Sequence, residues 1–273
     1  MVGLTQSAVS RQIASMEEKL GVKLFERTTR SVRLTPAGAD LAVRTQRLIH
    51  QTSDILRSVR ETHLHLPETL RVGVERSIGL AYLPGFFFAF QKQRPEVQLH
   101  LQHDSEARLL NAIEEGELDA GLIPLPKALP KRLQAGYVFE DDFVMIFPRS
   151  FSEANGKSHM SLPEALDLTA GKRWLLLDEQ GCTGRLLRHW LESSGWEGQP
   201  AMELDSFDTI AAMVALGLGV SLVPHRVLAL SGTRRAVMRL PLRPHLRRTI
   251  AVITRKTARP RPVVSEFVKN VLF

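Results

Sequence analysis

Three short loops set a hydroxyl at the start of a predicted helix: Glu75-Arg76-Ser77, Asp104-Ser105 and Gly181-Cys182-Thr183. Open α/β sheets bind ligands at the carboxyl ends of their strands, where helix N-termini present free N–H groups. Ser77, Ser105 and Thr183 can each offer a hydroxyl to an anionic ligand there, and each also reads as a plain helix cap. Cys182 adds a thiol whose pKa a helix N-terminus would lower. It is the only cysteine, so the chain forms no internal disulfide or multi-cysteine metal site, and no second thiol can resolve a sulfenic acid within it.

Catalytic patterns are missing. His100, His103, His189, His225 and His245 are scattered, without metal-ligand spacing. There is no Gly-x-Ser-x-Gly elbow and no Gly-x-Gly-x-x-Gly phosphate loop. His103-Asp104-Ser105 has the letters of a hydrolase triad, but consecutive residues rarely converge on one point. The expectation is a binding protein, not an enzyme, with no cofactor and no metal.

A second set of polar residues lies near the N-terminus. Val9, Ile13, Met16 and Leu20 recur at helical spacing, with Thr5 or Ser7 as cap and Gly21 as stop. The opposite face shows Gln6, Ser7, Ser10, Arg11 and Gln12, which can hydrogen-bond phosphates and base edges; an amphipathic surface helix would look similar. Val22 to Leu34 then reads as a short basic strand pair, and Thr35-Pro36 starts another helix.

Thr5, Gln6, Ser7, Ser10, Arg11, Ile13, Glu17, Leu20, Gly21, Leu24, Phe25, Arg27, Leu34, Thr35 and Gly38 stand at the spacing of a motif found in LysR-type regulators, and the chain resembles that family. The resemblance implies a winged helix-turn-helix with its recognition helix at about 7–20 and its wing at about 26–34. It implies that Thr5, Gln6, Ser7, Ser10 and Arg11 face double-stranded DNA while Arg27, Arg30 and Arg33 grip its backbone. In the family about twenty residues precede this point, so the helix-turn-helix reads as partial from its turn onward. A chain beginning at Met1 is expected to bind specific DNA weakly or not at all.

Residues 36–66 contain no proline after Pro36 and carry Leu41, Leu48 and Ile55 seven apart, with Ile49, Leu56 and Val59 beside them. This apolar seam suits a helix that pairs with another, although interleaved threonines leave packing onto its own domain open. In the family the corresponding helix dimerises. Pro67 ends it.

From Glu68 onward short apolar runs alternate with helical stretches: 70–74, 78–93, 97–103, 105–115, 118–124, 143–148, 174–178, 183–194, 201–204, 207–216, 220–224, 249–254 and 262–273. Alternating β and α units of this length predict an α/β fold with a mostly parallel sheet. Two series with two crossings make two lobes and a cleft, at about 68–147 with 249–273 and at about 148–248. The resemblance implies a periplasmic-binding-protein-like effector domain over 67–273, after a helix-turn-helix domain at 1–35 and a linker helix at 36–66. It brings Arg76, Ser77, Ser105, Cys182, Thr183 and Phe207 forward as effector-binding candidates. The implied effector is a small, anionic molecule, and the implied assembly a homodimer or homotetramer. Ligand binding would close the cleft and alter the spacing of paired recognition helices. Loss of DNA binding by truncation and redox sensing by Cys182 stand as alternative readings.

Charge is unevenly spread over the 273 residues, which carry a net +7. Residues 1–66 hold 10 Lys+Arg against 6 Asp+Glu, residues 67–225 hold 14 against 22, and residues 226–273 hold 12 against 1. The first block suits a phosphate backbone. The last, with Arg234, Arg235, Arg239, Arg243, Arg247 and Arg248, suits neutralisation of the acidic middle. No apolar run reaches the roughly 20 residues that span a bilayer, and no signal peptide is evident; a cytoplasmic protein without membrane contact is expected.

Overall fold

The computed structural model describes residues 5–27, 31–63, 67–151, 156–230, 235–258 and 260–269. The chain divides into two compact units, Met1–Leu64 and His65–Phe273.

In the first unit, α1 (Gln6–Leu20) is capped by Thr5, whose hydroxyl accepts from the amide of Ala8, and it stops at Gly21 in the left-handed region. Strands β1 (Phe25–Arg27) and β2 (Val32–Leu34) pair antiparallel, Phe25 opposite Leu34. Helix α2 (Pro36–His63) follows, with the Thr35 hydroxyl accepting from Gly38 and donating to the Lys23 carbonyl. One side chain ties helix to strand pair: the Glu17 carboxylate accepts from the amides of Leu24 and Phe25 at 2.9 and 3.2 Å and pairs with Lys23 at 2.9 Å. Those bonds hold its pKa down at about 2, the Lys23 bond first and the Leu24 amide next. The α1 face carrying Val9, Met16 and Leu20 is exposed. So is the α2 seam at Leu48, Ile49, Ile55, Leu56 and Val59.

The second unit begins with β3 (Thr69–Glu75), a 3₁₀ turn at Arg76–Ile78 and α3 (Gly79–Gln93). Next come β4 (Gln98–Asp104), α4 (Glu106–Glu115) and β5 (Ala120–Pro124). Strand β6 (Leu133–Pro148) is 16 residues long. It leads to α5 (Leu162–Leu168), β7 (Leu175–Leu177), α6 (Cys182–Ser193), β8 (Met202–Leu204) and α7 (Phe207–Ala215). The chain continues through β9 (Ser221–Pro224), α8 (Val227–Leu230), β10 (Val237–Pro241), β11 (Arg247–Arg255) and α9 (Pro262–Lys269).

β3 lies between β4 and β5, all parallel, and β11 runs antiparallel beside β5. β6 serves two neighbourhoods. Its first part pairs with β11, from Leu133 opposite Arg255 to Asp142 opposite Arg247, and Phe143–Pro148 pairs with β9 and β10. The expected strand at 143–148 is therefore the second part of a longer one, and the sheet is mixed where a mostly parallel one was expected. β6 is one crossing between the lobes, and the turn from β10 to β11 is the other.

Each lobe has its own core. Leu70, Val72, Phe90, Ile250 and Phe267 pack on one face of the first lobe's sheet, and Leu109, Ile113, Ile123 and Ile253 on the other. Phe143, Phe147, Leu187, Ile210, Val214 and Leu222 fill the second. Full burial of such side chains contributes about 1.5–3 kcal/mol each, so both lobes are anchored and the crossing between them is where polar groups can be held.

Candidate functional site

Arg248 occupies the crossing. On β11 it stands directly opposite Asp141 of β6, and their side chains are 2% and 1% exposed. Its Nε donates to Asp141 Oδ2 at 2.9 Å. Nη1 donates to the hydroxyls of Ser77 at 2.6 Å and Thr183 at 3.1 Å, and Nη2 to the Ser77 carbonyl at 3.1 Å. The guanidinium lies over the rings of Phe207 and Phe143, 5.4 and 5.7 Å from their centroids. One cation thus joins the first lobe, through Ser77, to the second, through Thr183 and Phe207. A buried charge persists only when paired and hydrogen-bonded, and this one is both.

Carboxylates surround the cation. Glu75 accepts from the Ser77 amide at 2.9 Å and, closer still, from its hydroxyl. Burial pushes the pKa of Glu75 up, against the pull of the Ser77 hydroxyl and Arg248. Burial and the facing Asp141 likewise push the Tyr82 phenol above its ordinary range.

Two expected roles change here. Ser77 and Thr183 do not cap helices: Ile78 and Gly181 hold those positions, and both hydroxyls are committed to Arg248. Ser105 does sit at the cap of α4, without a side-chain cap bond. Phe207, expected along the cleft, is 1% exposed and packs in the second lobe's core under the guanidinium. Arg76 is exposed and pairs with Asp205 at 3.7 Å.

Beside the Arg248 cluster, a cavity of about 630 Å³ lies between the lobes. Its walls are Glu106, the 124–127 segment, Arg247 to Thr249, and a face of α6. That face presents Cys182, Arg185, Leu186 and His189, spaced i, i+3, i+4 and i+7, which puts them in one row. The volume suits a small molecule. A second space of about 30 Å³, lined by Glu75, Arg76, Ser77, Ser105, Glu106, Asp178 and Asp205 among others, has room for little more than water.

Cys182 stands where cavity and cluster meet. Burial pushes its thiol up to about 12, with Glu106 and then Glu75 adding to the shift and Arg248 opposing it. The position at a helix N-terminus predicted the opposite direction; burial is the largest cause of the rise, and two carboxylates add to it. Alkylation by iodoacetamide at pH 8 should be roughly a thousandfold slower than for a free cysteine of pKa about 8.5. The rate should keep climbing towards pH 12, and a plateau below pH 9 would contradict this environment.

In the first unit, Thr5, Gln6, Ser7, Arg11 and Arg33 are exposed and Ser10 is half-buried. Thr5 and Ser7 share a hydrogen bond of 3.1 Å. Arg30 and the side chain of Arg27 lie outside the described residues.

Sequence reasoning did not pair Arg248 with Asp141, and it put none of Glu75, Glu106, Lys127, Arg185 and Arg247 forward as a site residue. The row on α6 was legible in the spacing, but the partners of Arg248 are far away in sequence.

A helix-and-wing unit followed in one chain by a two-lobed α/β unit with a cavity at its crossing defines a class, the one-component transcriptional regulators. A family model described as LysR substrate binding domain matches residues 63–272, and one described as Bacterial regulatory helix-turn-helix protein, lysR family, matches residues 1–39. The chain belongs to the LysR family of transcriptional regulators. It is 30% identical over 234 residues to a probable hydrogen peroxide-inducible genes activator of Mycobacterium avium, covering 85% of this chain and 73% of the relative. Full-length OxyR from Pseudomonas aeruginosa, in a cysteine-to-aspartate form, matches with TM-score 0.68 and 26% identity over 97% of this chain and 86% of that one. Full-length CbnR complexed with its target DNA matches in fold, with TM-score 0.67 and 20% identity over 98% and 90%. Among the described residues no helix is long and apolar enough to cross a membrane.

Proposed function

We propose that this regulator binds double-stranded DNA as a homodimer or homotetramer in the cytoplasm and that a small molecule with an anionic group, held between its lobes, controls that binding. The observation that carries the reading is the cavity of about 630 Å³ with Lys127, Arg185, His189 and Arg247 in its lining. Arg76 and Ser105 belong to the neighbouring smaller space. Ser77, Thr183 and Phe207 act through Arg248, setting the position of α6 against the first lobe, and Cys182 lines the ligand's cavity. Domain limits at 1–35, 36–66 and 67–273 go with this reading.

Thr5, Gln6, Ser7, Ser10 and Arg11 would meet bases and phosphates from α1, and Arg27, Arg30 and Arg33 would hold the backbone from the wing. Arg33→Ala, measured by fluorescence anisotropy on duplexes selected from a random library, should weaken all sequences about equally. It should lower the slope of log K against log salt by about 1. Loss confined to one sequence, or an unchanged slope, would remove Arg33 from the backbone contacts.

The name of the Mycobacterium avium relative invites a peroxide-sensing reading through Cys182. The protonated thiol and the lack of a second cysteine weigh against it.

A further inference from the structure

The cavity between the lobes is not uniformly basic. Among the described residues its one carboxylate is Glu106, the first residue of α4, which shares the lining with Cys182 and acts on its thiol. Apart from Arg248, whose charge is buried against Asp141, the basic side chains stand elsewhere in the lining: Lys127 follows β5, Arg247 opens β11, and Arg185 and His189 sit further along α6. At 1.5 Å per residue, His189 lies about 10 Å along the helix from Cys182. Arg247 is paired with Asp142 at 2.6 Å, and Arg185 donates to the carbonyls of Glu179 and Gln180. Lys127 and His189 have no carboxylate partner among the described residues. Leu125, Leu186, Pro124 and Pro126 supply apolar wall.

We propose that the ligand of this cavity is a zwitterion: an ammonium group meets Glu106 beside Cys182, an apolar spine crosses Leu125 and Leu186, and an anionic group meets Lys127 and His189. The assignment rests on the reading of the cavity as the effector site and narrows it. A ligand carrying only negative charge would leave Glu106 facing like charge in a confined space. A ligand carrying only positive charge would meet Lys127 and Arg247 elsewhere in the lining. A molecule with both groups several ångströms apart satisfies each.

The test is thermal shift and calorimetry on the full chain, using the twenty α-amino acids and the ω-amino acids from 4-aminobutanoate to 6-aminohexanoate. Each is paired with the carboxylate that lacks its amino group. At least one amino acid should bind roughly tenfold to hundredfold more tightly than its deaminated partner, as expected when a charge-assisted hydrogen bond is lost. Glu106→Gln should close that gap, whereas Lys127→Met should weaken both members of the pair. A carboxylate that binds as tightly as its amino acid overturns the zwitterion and leaves an anionic effector standing. Binding by neither set overturns both readings. A gap that persists in Glu106→Gln, in a protein that melts as the wild type does, overturns the role of Glu106.

Discussion

Replacing Arg248 with methionine should destabilise the two-lobed unit by about 3–5 kcal/mol, because Asp141 would then be a buried charge without its partner. The pair is almost wholly buried, and the same guanidinium holds the Ser77 and Thr183 hydroxyls. Domains of this kind are stable by only about 5–15 kcal/mol, so the loss would leave the fold marginal. Urea denaturation followed by tryptophan fluorescence reads this directly, since Trp174, Trp190 and Trp196 all pack with the second lobe's core. A double variant, Arg248→Met with Asp141→Leu, should recover much of the loss, because burial without charge removes the desolvation cost of both groups. An unchanged urea midpoint in the single variant would contradict the role given to this pair.

The second large effect concerns Gly184, in the first turn of α6. A methyl group there would lie 1.7 Å from the Asp178 carbonyl oxygen and 2.6 Å from its carbon, both backbone atoms that cannot swing aside. Gly184→Ala must therefore displace the start of α6, carrying Thr183 away from Arg248 and Cys182 out of the cavity wall. Overpacking of this kind costs about 1–3 kcal/mol or more, and ligand binding should fall with it. Gly85, in α3, is the control: nothing lies within 4 Å of the place a methyl group would take there, so Gly85→Ala should raise stability by up to about 1 kcal/mol. Differential scanning calorimetry of the two variants tests the contrast. Equal melting temperatures would show that α6 is not packed against 178–179 as described.

Local signals made much of this architecture readable. Thr5, Gly21 and the Thr35-Pro36 start predicted both ends of α1 and the start of α2 within a residue or so. The alternation from Leu70 to Pro124 predicted β3, α3, β4, α4 and β5, because β3 and β5 are short apolar runs and β4 alternates apolar with polar residues. The first part of β6 was hidden by Gln134, Gly136 and the acidic run Glu140-Asp141-Asp142, which look like a loop until β11 supplies Arg247 and Arg248 opposite. α5 was missed although Ser161 and Glu164 form a capping box. Of the basic C-terminal segment, Arg247 meets Asp142 and Arg248 meets Asp141, whereas Arg239 and Arg243 lie against His225 and His245; Arg261, which was not singled out, meets Glu68 and Asp119. Which arginine would be buried depended on a crossing between strands about a hundred residues apart, and no local pattern encodes that.

If a ligand between the lobes sets DNA affinity, filling its cavity must abolish the response. DNA-binding anisotropy in the presence of a small-molecule cell extract tests this, comparing the wild type with Leu186→Trp, whose indole would occupy the space. The extract should change wild-type affinity by about 5- to 150-fold and leave the filled variant unmoved while it still folds and binds DNA. An equal response from both proteins would contradict control from this cavity.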